Sequence, residues 1–177
     1  TRTVLQLPAV LAPTKAAVTE QLNGFIDVLR GRGITVLQPR PLPYIPDQMM
    51  TRDIGVVIGD TLVVTTMAAV SRKHEWRGYA YLFEEFMPET KVIFGPEDLV
   101  IEGGDVIVDK GKVFVGIGQR TTLAGAAWLM QLVPDYEIVP INLRGLHHGE
   151  DVLHLDCSFL PVGKDSALIY PDGMREV

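Results

Sequence analysis

The sequence predicts an α/β protein built from repeated strand–strand–helix–strand (ββαβ) units, with an incomplete set of them in its 177 residues. Three observations carry this. A β-rich hairpin, a helix and a closing strand occur in that order twice, the second copy offset by 51 residues from Asp60 to Gly111. A third hairpin opens near the end with no helix after it. The composition, 47% hydrophobic and 21% charged, is that of a folded globular chain. Units of this kind bury their faces only against neighbours, and at this length one domain over 1–177 is the expectation.

In order along the chain, Thr14 is placed to cap a helix whose apolar residues Val18, Leu22, Phe25, Ile26 and Leu29 share one face. Gly31 and Gly33 stop it, and Ile34 to Leu37 reads as a short strand. A Pro-rich crossing, Pro41 to Pro46, leads to the first full unit. Its strands are Ile54 to Ile58 and Leu62 to Thr66, joined at Gly59-Asp60. Its helix carries Trp76, Tyr79, Ala80, Phe83 and Phe86 on one face, and Lys91 to Phe94 closes it. The second unit runs Val106 to Val108, Val113 to Val115, a helix from about Thr121 to Val133, and Glu137 to Asn142. The third hairpin is His154 to Pro161 followed by Ala167 to Tyr170.

Sixteen Lys+Arg against 22 Asp+Glu give a net charge of −6. That balance disfavours a nucleic-acid partner, which calls for a basic surface. No apolar run approaches the length of a membrane span, and the first residues lack the pattern of a signal peptide. A cytoplasmic protein without a membrane partner is expected. The single cysteine, Cys157, leaves no internal disulfide and no Cys-rich zinc site. No cofactor is expected.

Three polar clusters stand at the ends of β-rich runs: Thr51-Arg52-Asp53, with Arg72 and Glu75 following; Glu102-Gly103-Gly104-Asp105; and His154-Leu155-Asp156. Adjacent glycines let a backbone turn sharply or approach another group closely. Read as a strand, 154–159 puts His154, Asp156 and Ser158 on one face and Leu155, Cys157 and Phe159 on the other. Cys157 then reads as a small core residue. Singly, each cluster has a structural reading: Arg72 and Glu75 as a solvated helix pair, Asp53, Glu102 and Asp105 as turn acceptors, Arg120-Thr121 as a strand end with a helix cap. Together they form a carboxylate-rich cleft with one histidine, which suits a cationic substrate.

In this order the clusters resemble the guanidine-modifying enzymes: arginine deiminases, dimethylarginine dimethylaminohydrolases and amidinotransferases. The matching segments are Thr-Arg-Asp at 51–53, Arg-x-x-Glu at 72–75, Glu-Gly-Gly-Asp at 102–105, Gly-x-Gly-x-Arg-Thr at 116–121 and His-Leu-Asp at 154–156. The resemblance implies the pentein fold, an α/β propeller of five ββαβ units about a pseudo-fivefold axis. It implies that Asp53 and Asp156 hold the substrate guanidinium and that His154 is the general acid/base, oriented by Glu102. Asp105 would line or support the pocket. Arg120 and Arg72 would bind the substrate's carboxylate or support the carboxylate network. A guanidinium stays protonated, so its recognition calls for carboxylates in a matching fork. The family's chemistry passes through a Cys-linked amidino intermediate, resolved by hydrolysis or amidino transfer; hydrolysis is slightly favoured.

The family's nucleophilic cysteine lies well beyond the His-Leu-Asp segment, and this sequence stops at Val177. The expectation is a part of a longer enzyme lacking its final unit or units. Open strand edges would invite another chain, so a homo-oligomer is among the expectations. Gly118, where many members carry Ser, departs from the pattern near Arg120. Two other functions stay open. One is a non-catalytic binding module or inactive truncated homologue. The other is a metal-dependent hydrolase using His147, His148, Glu150, His154 and Asp156.

Overall fold

The computed structural model describes residues 13–45, 48–145 and 152–175, in two compact units, 1–38 and 39–177. In the first, helix α1 (Lys15–Gly31) starts where Thr14 accepts a hydrogen bond from the Ala17 amide at 3.2 Å. It ends in a pair of backbone bonds, Gly33 N–H to Arg30 and Ile34 N–H to Leu29, that satisfies its last carbonyls. The predicted apolar face forms, yet no residue of α1 is buried. The strand expected at 34–37 is not present. Strands exist by pairing, and no ladder partner for this segment is found among the described residues.

The second unit holds both predicted repeats. In the first, β1 (Gly55–Ile58) and β2 (Thr61–Val64) pair antiparallel, and β2 pairs parallel with β3 (Lys91–Phe94). The connection carries α2 (Ala80–Glu85), much shorter than the predicted helix. Two 3-10 turns, Val70–Arg72 and Glu75–Gly78, replace its first half. Two contacts explain the break. Arg72 and Glu75 turn inward as a buried ion pair, and the Arg40 amide bonds the Gly78 carbonyl at 2.9 Å, laying the chain at Arg40 against the segment.

The second repeat follows prediction closely. Strand β4 (Val106–Asp109) pairs antiparallel with β5 (Lys112–Ile117) through a turn at Lys110-Gly111, both at positive φ. Helix α3 (Leu123–Leu132), capped by Thr122, returns the chain to β6 (Glu137–Asn142), parallel to β5. A third hairpin pairs β7 (Phe159–Val162) with β8 (Ser166–Ile169).

One apolar core joins the repeats: Val56, Ile58 and Val63 meet Ile101, Val106, Val113, Val115 and Leu129. The Thr66–Ile101 bridge stitches them at the backbone. A second cluster of Ile107, Leu143, Val152 and Leu155 holds the third hairpin, with Phe114 edge-on to Phe159 at 5.0 Å.

The segment 154–158 is not the strand that alternation predicts. Residues Leu155–Cys157 form a 3-10 turn, closed by Cys157 N–H to His154 and Ser158 N–H to Leu155. Alternation therefore does not apply: Leu155 is fully buried, and Cys157, expected in the core, is exposed. The turn completes a pattern. Each hairpin is preceded by a three-residue 3-10 turn, beginning at Thr51, Gly103 and Leu155, with 52 residues between successive starts. The first and third of these turns both pack on the second.

Candidate active site

This recurrence brings the polar clusters together. Glu102 and His154 hold equivalent places, each immediately before its turn, and their side chains meet: His154 Nε2 lies 2.7 Å from Glu102 Oε2 across a sequence separation of 52 residues. Asp53 and Asp105 also hold equivalent places, each ending its turn. Glycines make this approach possible. A Cβ on Gly104 would stand 2.6 Å from His154 Cγ, and one on Gly103 would strike the Arg52 carbonyl. Gly104→Ala is accordingly expected to push the imidazole off Glu102 and to destabilise the fold by about 1–3 kcal/mol. A urea midpoint equal to that of the parent would refute this.

The imidazole and the Glu102 carboxylate are both buried. Glu102 is fully enclosed, and His154 is 3% exposed. The Ala68 amide donates to Glu102 Oε1 at 2.8 Å, with Arg120 Nη1 3.6 Å from the same oxygen. Burial pushes the Glu102 carboxyl up, but the His154 hydrogen bond, the Ala68 amide and the Arg120 charge outweigh it and hold the carboxyl below its ordinary range. Burial pulls the His154 imidazole down, while the Glu102 bond and the charges of Asp105 and Asp53 raise it, and the net direction is up. Asp53 Oδ1 lies 3.7 Å from His154 Nδ1, so each ring nitrogen faces a carboxylate.

Behind Asp53 stands Arg72. Its Nη1 lies 2.6 Å from Asp53 Oδ2, its Nε 2.6 Å from Glu75 Oε2, and its Nη2 donates to the Met50 carbonyl at 3.0 Å. The solvated pair that helical spacing suggests for Arg72 and Glu75 is thus an interior one. Arg72 is raised above its usual value because the Glu75 and Asp53 carboxylates outweigh the cost of burial.

Asp156 sits on the open side of the cluster. It lines a cavity of about 560 Å³ with Arg52 and aliphatic side chains of β1, β4 and β7. Burial pushes its carboxyl up, against the opposing charges of His154 and Arg52. Asp53, Glu102 and His154 are not among that cavity's walls. Asp105 is fully enclosed, its Oδ1 accepting from the Leu155 amide at 2.9 Å.

All seven residues singled out in the sequence therefore belong to one connected cluster: Asp53, Arg72, Glu102, Asp105, Arg120, His154 and Asp156. Three more belong to it. Arg52 bridges repeats, donating to the Val106 carbonyl at 2.7 Å with its Nε 3.6 Å from Asp156. Glu75 anchors Arg72. Thr121 accepts from the Glu102 amide at 3.1 Å. All three stand inside the matching motifs, so only their side-chain directions were missing from the sequence. Cys157 is exposed, with its Sγ 3.8 Å from Asp156 Oδ1.

Ligating atoms of Asp53, Glu102 and His154 lie within 4.8 Å of one another, a spacing that could hold a metal ion. The same side chains are engaged with one another and with Arg72. Residues 147, 148 and 150 of the metal-hydrolase reading lie outside the described residues. No described helix is long and apolar enough to cross a membrane.

Comparisons with known proteins bear on the family and the fold. The family described as N,N dimethylarginine dimethylhydrolase, eukaryotic, matches residues 11–177. The uncharacterized protein YkgA of Bacillus subtilis (strain 168) is 35% identical over 157 residues, covering 88% of this chain and 52% of YkgA. This chain spans about half the length of that relative. Among solved structures, the N-terminal domain of ArgZ, an arginine dihydrolase from the ornithine–ammonia cycle in cyanobacteria, bound to substrate, superposes with a TM-score of 0.79 at 25% identity, covering 92% of this chain and 58% of that one. Dimethylarginine dimethylaminohydrolase (DDAH) from Pseudomonas aeruginosa, complexed with citrulline, shares the fold with a TM-score of 0.73 at 23% identity, over 83% of this chain and 56% of that one.

Proposed function

The chain belongs to the dimethylarginine dimethylhydrolase family of the pentein superfamily, and on that premise we propose that it provides the guanidinium-binding and proton-transfer part of an enzyme acting on arginine or an arginine derivative. The observation that carries the reading is the buried Glu102–His154 hydrogen bond with Asp53 on the imidazole's other side. In this reading Asp53 and Asp156 clasp the permanently charged guanidinium, and Arg120 meets the substrate's carboxylate or, as here, supports Glu102. Arg72 works from behind, holding Asp53 in place. Asp105 supports the turn that carries His154 and Asp156.

Fixing the guanidinium between carboxylates leaves its central carbon open to a thiolate. The raised His154 keeps a proton to give to the departing amine, and the ring freed of it then activates water. We further propose that the chain is part of a longer protein that supplies the thiolate, with hydrolysis of the Cys-linked amidino intermediate favoured over amidino transfer. The fold of that longer protein is proposed to be an α/β propeller within a single domain. Its support is the recurrence of turns beginning at Thr51, Gly103 and Leu155, the second packing against both others.

Calorimetric titration tests the binding half. L-Arginine and N,N-dimethylarginine are expected to bind and lysine not to, with Asp156→Asn weakening arginine roughly 10- to 150-fold, the span of about 1.5–3 kcal/mol for a charged hydrogen bond. Equal binding of lysine, or an unmoved affinity in Asp156→Asn, overturns it. A second reading, a guanidine-binding module without turnover, draws on one observation: the sequence's single cysteine is exposed beside Asp156. Tight arginine binding by the longer protein without release of citrulline, ornithine or ammonia would favour that module.

A further inference from the structure

Four carboxylates surround His154: Glu102 before the second turn, Asp53 ending the first, Asp105 ending the second, and Asp156 inside its own turn. Three of them face an arginine. Asp53 has Arg72 at 2.6 Å, Glu102 has Arg120 at 3.6 Å, and Asp156 has Arg52 at 3.6 Å. Asp105 makes no ion pair with Lys or Arg among the described residues. Its Oδ1 takes the Leu155 amide, the residue after His154, and its Oδ2 is buried without a hydrogen-bond partner. The groups facing it are the His154 imidazole, the Glu102 carboxylate and the Thr121 hydroxyl. The site is also built around it, since a Cβ on Gly116 would come within 2.6 Å of Asp105 Oδ1.

We propose that Asp105 is a positioning residue acting through both oxygens: one holds the His154-bearing turn, and the unmatched charge on the other sets whether the imidazole keeps its proton. Among the described charges acting on this enclosed carboxylate the cation is His154, so the two groups titrate as a coupled pair. Burial pushes the Asp105 carboxyl up to about 6, against the pull of Thr121, His154 and the Leu155 amide. As Asp105 ionises, the imidazole's hold on its proton strengthens. The proposal deepens the reading of His154 as the proton carrier, and its test reads the ring directly, so it succeeds or fails whether or not a guanidine is ever bound.

The test is an NMR titration of the His154 ring nitrogens, assigned by their loss in His154→Gln. Asp105→Asn retains an oxygen for the Leu155 amide and removes the charge. The expected result is a lower His154 midpoint with the Leu155 amide still protected from exchange. An unmoved midpoint with that amide protected reduces Asp105 to a structural anchor and overturns the proposal. Should the variant not fold, the unsubstituted protein decides. His154 should titrate in two steps, the lower coinciding with the carboxyl carbon signal of Asp105, and a single-step curve overturns the coupling.

Discussion

Arg72→Met is expected to cost the fold about 3–5 kcal/mol, because it removes the arginine paired with two buried carboxylates. The Arg72 side chain is 6% exposed, that of Glu75 is fully enclosed, and that of Asp53 is 10% exposed. Methionine fills the space but leaves both charges in the interior without their partner. Arg72→Lys should fall between parent and methionine variant, since an ammonium returns the charge without the planar fork that meets Glu75 twice and Asp53 once. Urea unfolding of the three proteins measures this. A methionine variant within about 1 kcal/mol of the parent would show that the network contributes little to stability.

The second large effect concerns turnover. In the longer protein, His154→Ala should lower the rate of guanidine breakdown by about 10²–10⁴, the usual contribution of a placed acid/base. Arginine affinity should hold, because Asp53 and Asp156 remain. Glu102→Gln separates orientation from charge. It retains a hydrogen-bonding partner for Nε2 yet removes the carboxylate that raises the imidazole. The variant's His154 therefore loses its proton at lower pH, and the alkaline limb of the rate profile moves down. Initial rates of citrulline release across pH report both. Turnover by His154→Ala within about tenfold of the parent would remove this residue from the chemistry.

The two repeats are legible in the sequence because hairpins and helices write themselves locally, through alternation and a turn pair such as Lys110-Gly111. Two elements differ from expectation where a distant contact overrides local pattern. The expected long helix through Trp76 and Phe86 is broken by Arg72 and Glu75 turning toward Asp53, some 20 residues away, and by the chain crossing at Arg40. The expected strand through His154 and Cys157 is a turn, because that segment repeats the turns at Thr51 and Gly103 rather than extending β7.

The motifs by themselves singled out the residues that gather into the cluster, since residue type and order are properties of the chain. Only tertiary structure decided the partnerships: Glu102 with His154, Arg72 with Asp53, Arg52 with Asp156, and Asp105 with no arginine among the described residues. Those pairings join side chains from separate repeats or across a loop. Which charges neutralise one another depends on burial and distance, and neither exists until the repeats have packed.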